Sequence, residues 1–144
     1  MTKKLAKARE NKGKAVNALP EDYVALDLET TGLDPEWDSI IEIGMVRVRR
    51  GEVVAEYSTL VNPGMPIDDF IAELTGITND MLAAAPALPE VLPAAREFLG
   101  DDIILGHNIN FDINFIYDNC ECQGLKPVSN GYIDTMRISR RVLP

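Results

Sequence analysis

From Tyr23 to Glu29 apolar and polar positions alternate. Val24, Leu26 and Leu28 fall on one side of an extended chain, and Ala25, Asp27 and Glu29 on the other. Gly32 and Pro35 break this pattern in TTGLDPEWD and predict a turn. SIIEIGMVRVRR predicts a second strand, RRGE a hairpin turn, and VVAEYSTLVNPG a third strand closed by Pro63-Gly64. Connections this short predict an antiparallel meander. The spacing then becomes helical through Phe70, Ile71 and Leu74, with Gly76 as a stop and Thr78 as cap for a short turn beginning NDML. ALPEVLPAAREFLG predicts a helix ending at Gly100, its prolines near the start. DDIILGHN predicts a short buried strand, and NFDINFIYDNCECQG a helix capped by Asn110 and stopped at Gly124. GYIDTMRISRRVLP supplies a last strand and the first turns of another helix. The order implies an α/β fold with a mixed sheet, the meander being extended by parallel strands that helices connect.

The chain of 144 residues fits one domain with a core of its own. No run approaches the roughly 18 apolar residues of a membrane span. The N-terminus lacks the apolar centre of a signal peptide, so the expected location is the cytoplasm, with no membrane partner. Cys120 and Cys122 are too close in sequence to bridge easily, and His107 is the single histidine, which leaves no zinc set. The net charge of −9 is unevenly spread. Lys3, Lys4, Lys7, Arg9, Lys12 and Lys14 oppose only Glu10 within residues 1–20, which predicts a flexible basic arm ahead of a domain over 21–144. The remaining body is strongly acidic. It does not suit a broad electrostatic contact with nucleic acid, so cations would have to mediate any grip on an anionic polymer.

That acidity is concentrated where it is costly. Asp27 and Glu29, two apart on a strand, lie about 6.6 Å from each other. At an effective dielectric near 20 they repel by about 2.5 kcal/mol, before any cost of desolvation. A divalent cation such as Mg²⁺ or Mn²⁺ answers both terms through hard oxygen ligands. On its own, Asp-x-Glu reads more naturally as an edge strand with a wet outer face. GHNINFDINFI changes the balance, because a glycine-ended strand there feeds a helix whose second position is Asp112. Alone, Asp112 would be a helix-dipole residue. If its strand lies beside Tyr23–Glu29, however, three carboxylates share one patch, and two cations there could serve phosphodiester hydrolysis.

DLETTGL, IIEIGMVRV, LTGIT, GHNINFDINFI and IDT together closely resemble the DEDD, or DnaQ-like, 3′→5′ exonucleases, the proofreading type of bacterial DNA polymerase III. The resemblance runs from Tyr23 to about Leu143. It implies a ribonuclease H-like fold, two Mg²⁺ or Mn²⁺ ions, and Asp27, Glu29 and Asp112 as three of the family's four metal-binding acids. Asp27 would bridge both ions, Glu29 would hold the ion on the nucleophile side, and Asp112 the one on the leaving-group side. Thr30, Thr31 and Leu33 match the loop that grips and wedges a 3′-terminal nucleotide. Thr75 and Ile77 would border the base pocket, and Asn108 and Phe111 would approach the scissile end. Each has an ordinary alternative: core for Leu33 and Ile77, turn formation for Asn108, turn closure for the threonines. The implied substrate is a single-stranded DNA 3′ end, with RNA as the alternative, and the implied partner is a DNA polymerase subunit.

The match breaks at the family's third motif, which carries the fourth acid and a general base. His107 belongs to the second motif, and Asp134 to the strand after it. The resemblance therefore implies a domain without its C-terminal helices, and a chain that binds metal but cleaves poorly by itself. A catalytically deficient nucleic-acid-binding module of the same fold is the competing expectation. An endonuclease or transposase is a weaker one, since TTGL and LTGIT suit a free 3′ end.

Overall fold

The structure is a computed structural model, and it describes residues 8–142. Tyr23–Thr30 forms β1, Ile40–Arg49 β2 and Glu52–Leu60 β3. Ile104–Gly106 is β4 and Tyr132–Asp134 is β5. They make one sheet in the order β3-β2-β1-β4-β5. The first three strands run antiparallel, while β4 pairs parallel to β1 and β5 parallel to β4. The alternation and the turn residues thus foretold the meander correctly. Its β2–β3 hairpin turns on Arg50 and Gly51, both at positive φ (53° and 75°), the geometry that lets a two-residue loop follow the strand twist.

Among the described residues five helices pack around the sheet: α1 (Asp69–Thr75), α2 (Asn79–Ala83), α3 (Leu88–Leu99), α4 (Ile109–Cys122) and α5 (Thr135–Val142). Val24, Leu26 and Leu28 of β1 join Ile43 and Met45 of β2 in the main core. Leu92, Ala95 and Leu99 of α3 meet them there, with Ile113, Phe115 and Ile116 of α4. Burying each of the larger side chains contributes about 1.5–3 kcal/mol. A second cluster of Ile41, Ile67, Ile71, Ile77 and Leu82 seats α1 and α2. Asp68 caps α1 by accepting from the Ile71 N–H at 2.9 Å, and Gly76 ends it at φ 75°.

Three details differ from the expectation. Pro93 lies inside α3 rather than near its start. Helix α4 begins at Ile109 with Asn108 as its N-cap residue, so Asn110 is helical and Asp112 is the fourth residue of the helix, not the second. The third concerns the basic arm, of which residues 1–7 lie outside the described residues. Residues 9–16 are seated on the body. Arg9 donates two bonds, each 2.9 Å, to the two oxygens of Asp118 on α4. Lys12 Nζ donates to Asn110 Oδ1 at 2.7 Å and stands over the Tyr132 ring. The Tyr117 hydroxyl donates to the Glu10 carbonyl. Ala15 then bridges Tyr132 in parallel, with Val16 N–H donating to the Tyr132 carbonyl at 2.9 Å, so the segment continues the sheet beyond β5. Charge-assisted bonds and a free strand edge supply the docking that a lack of apolar residues would not.

Candidate active site

Strand β4 ends level with the middle of β1, and helix α4 starts just beyond that end. Gly106 makes this approach possible, since a Cβ there would stand 2.7 Å from the Leu26 carbonyl oxygen and 2.5 Å from Ile109 Cδ1. As a result, Asp112 reaches β1, where the Leu28 backbone N–H donates to its carboxylate. Asp112 is only 4% exposed. Burial first, then the charges of Asp27 and Glu29, push its pKa up to about 8. The Leu28 bond opposes that rise, while Asp134 adds to it. Glu29 is raised as well, by desolvation first and then by Asp27 and by Glu42, its cross-strand partner on β2. The ion pairs of the described residues involve Asp118 and Asp102, and none involves these three acids.

The structure thus places Asp27, Glu29 and Asp112, the three acids singled out in the sequence, within electrostatic reach of one another. Among the described residues, no group of three or more His, Cys, Asp and Glu side chains is arranged so that it could hold a metal ion as placed. The donor chemistry nevertheless fits divalent cations: hard carboxylate oxygens, mutually repelling, and in no ion pair among the described residues. Asp27 is exposed and Glu29 half-buried, which leaves both room to turn their carboxylates.

The loop after β1 is tied internally. Thr30 Oγ1 donates to the Gly32 carbonyl at 2.7 Å, and Thr31 Oγ1 accepts from the Ser39 N–H at 2.9 Å. A side chain on Gly32 would collide with the Asp38 carboxylate at 2.4 Å, which itself accepts from the Asp34 N–H. The tied loop carries Leu33 into solvent at 84% exposure, so Leu33 is not core. Thr75 Oγ1 donates to the Ile71 carbonyl and accepts from the Ile77 N–H, closing the turn after α1. Ile77 is core, at 4% exposure beside Ile41 and Ile71, and its side chain is not offered to a ligand. Asn108 is left-handed, at φ 53° and ψ 44°. Phe111 packs in a tilted pair with Phe115, ring centroids 5.0 Å apart. His107 is exposed, with Nδ1 3.3 Å from Thr135 Oγ1. Sequence reasoning missed the seat of Asp134, which accepts from the Asn108 N–H at 2.9 Å. The parallel pairing that opposes Gly106 to Asp134 is the only signal that would have found it.

Residues 24–144 match the family model RNase_T, described as an exonuclease. The chain is 40% identical over 124 residues to the PolC-type DNA polymerase III of Bacillus cereus, covering 86% of this chain and 9% of that protein. It is 42% identical over 120 residues to the PolC-type enzyme of Staphylococcus aureus, covering 83% of this chain and 8% of the relative. The chain thus spans less than a tenth of the length of these curated relatives. Among solved structures it resembles exonuclease X in complex with 5′ overhanging duplex DNA, with TM-score 0.63 and 30% identity, covering 85% of this chain and 64% of that one. It also resembles exonuclease I, with TM-score 0.74 and 18% identity, covering 85% of this chain and 30% of that one, which speaks to the fold alone. Among the described residues no helix is long and apolar enough to cross a membrane. With this topology and an exonuclease model matched over residues 24–144, the chain belongs to the DEDD exonuclease family and has the ribonuclease H-like fold.

Proposed function

We propose that the chain is a 3′→5′ exonuclease unit of a DNA-polymerase-type protein, removing nucleotides from a single-stranded DNA 3′ end with two Mg²⁺ or Mn²⁺ ions. The observation that carries this reading is the burial of Asp112 against β1 beside Asp27 and Glu29. Burial and the neighbouring carboxylates raise the proton affinity of Asp112 and Glu29, a penalty that positive charge joining the three would remove. Two such ions, when bound, would activate a water and stabilise the leaving oxygen of a phosphodiester. Asp27, Glu29 and Asp112 would hold them, Asp27 as the shared ligand.

The surrounding residues supply position. Thr30 and Thr31 brace the loop that presents Leu33, and an exposed leucine on a braced loop is suited to wedge under a terminal base. Thr75 and Ile77 close the turn after α1, with Ile77 in the second core cluster, and in this reading that turn borders the base pocket. Asn108 shapes the entry to α4, and Phe111, locked against Phe115, gives that entry a firm apolar flank.

The test is a single-stranded oligonucleotide labelled at its 5′ end, incubated with Mg²⁺ or Mn²⁺ and a longer protein that carries this polypeptide. The expected product is a ladder shortening one nucleotide at a time. Asp27→Ala removes a ligand worth several kcal/mol of transition-state stabilisation, so the rate falls about 100-fold or more. Immediate release of the labelled nucleotide would reverse the polarity. Internal cuts would make the unit an endonuclease, and retention of DNA without cleavage under any metal would favour the binding module.

A further inference from the structure

The turn that launches α4 is held from outside that helix. Asn108, its N-cap residue, makes no side-chain capping bond and sits in the left-handed region at φ 53°. Asparagine tolerates this conformation better than other residues with a Cβ, and its surroundings can hold it there. Those surroundings are Asp134. This carboxylate ends β5, directly opposite Gly106 at the end of β4, and is 7% exposed. One of its oxygens, Oδ1, accepts from the Asn108 N–H at 2.9 Å and from the Met136 N–H at 3.0 Å. A single buried acceptor thus joins the strand-to-helix turn before α4 to the start of α5. Thr135, the next residue, faces His107 in the same turn.

We infer that Asp134 is a positioning residue for metal binding, acting through the Asn108 turn to set where α4 begins and hence where Asp112 stands. The inference rests on the metal reading above. Asp112 lies one helical turn beyond Asn108 and is pinned against the Leu28 N–H. If the Asn108 N–H loses its acceptor, the turn relaxes from the left-handed conformation and Asp112 shifts against β1. Asp134 could serve merely to start α5, since the Met136 bond does that alone. The two roles separate experimentally, because α5 supplies none of the three acids.

The experiment measures Mn²⁺ affinity by calorimetry on the 144-residue chain, alongside the melting temperature without metal. Three forms are compared: parent, Asp134→Ala and Asp134→Asn. The asparagine oxygen can still accept from both N–H groups, so Asp134→Asn should bind Mn²⁺ within about threefold of the parent. Loss of a comparable outer-shell partner weakens metal binding about 10- to 100-fold, and Asp134→Ala should show that loss while remaining folded at the assay temperature. Mn²⁺ binding by Asp134→Ala equal to that of the parent would overturn the inference. So would an Asp134→Asn variant as weak as Asp134→Ala, because the charge rather than the acceptor would then matter. If Asp134→Ala fails to fold, Asp134→Ser, too short to reach Asn108, takes its place under the same criteria. A parent that binds no Mn²⁺ would sink the metal reading itself, and this inference with it.

Discussion

Asp112 sets the behaviour of the metal-free protein at the level of a single side chain. Its folded pKa of about 8 stands above the 3.8 of an ordinary aspartate. Between those values the native state holds a proton that the unfolded chain has released, so stability falls as pH rises from about 4 to about 8. The raised Glu29 acts in the same direction. In chelator-treated protein the melting temperature should therefore drop between pH 5 and pH 8. Asp112→Asn, which cannot ionise, should flatten much of that fall and melt about 5 °C above the parent at pH 8. Parallel melting curves for the two proteins across pH would show that Asp112 ionises in the ordinary range. Divalent cations should act oppositely, raising the parent's melting point by binding the folded state. That increment should be absent from Asp27→Ala. At this scale alternation put Asp27 and Glu29 on one face of a strand, but bringing Asp112 to them needed the family resemblance as well, since an acid near a helix start has an ordinary reading by itself. The core placement of Ile77 was not legible, since a lone isoleucine after a glycine carries no sign of which side it will face.

The elements read cleanly wherever periodicity and stop signals agreed. Strands β1, β2 and β3, helix α1 ending at Gly76 and helix α3 ending at Gly100 all fall where alternation, spacing and glycine put them. The start of α4 did not, because HNIN offers two asparagines as caps and tertiary contacts decide between them. Asn108 is held by Asp134, whereas Asn110 is taken by Lys12. The packing of α4 on β1 depends on Gly106. A Cβ at that position would press on the backbone carbonyl of Leu26, which cannot swing aside as a side chain would. Gly106→Ala should push β4 from β1, cost about 1–3 kcal/mol as overpacking does, and lower the Mn²⁺-induced rise in melting temperature. Chemical denaturation with and without metal reads both effects. A variant as stable as the parent and as responsive to Mn²⁺ would mean the sheet opens there without strain.

Across the whole molecule, the least legible feature was the long-range docking of the basic segment. Composition alone describes residues 1–20 as polar and basic, and says nothing about an acid more than a hundred positions away. Asp118, buried on α4, is matched by Arg9 in a two-bond pair, and Lys12 lies close enough that burial and Arg9 lower its pKa while Asp118 raises it. Gly13 lets the strap pass, for a Cβ there would lie 1.8 Å from the Asn130 carbonyl oxygen. Beyond it, Lys14, Ala15 and Val16 cover the edge of β5, which would otherwise present free pairing groups. Limited trypsin digestion distinguishes a strap from a loose arm. In the parent, cleavage after Lys12 and Lys14 should be about as slow as cleavage after Arg96. Gly13→Ala should expel the strap and expose both lysines within the first minutes, leaving the body from residue 23 onward intact. Arg9→Ala should do the same more mildly, since the stranded Asp118 carboxylate costs about 1–3 kcal/mol. If the parent itself loses Lys12 and Lys14 at once, the segment is a flexible arm after all, and the edge of β5 is open for another strand to occupy.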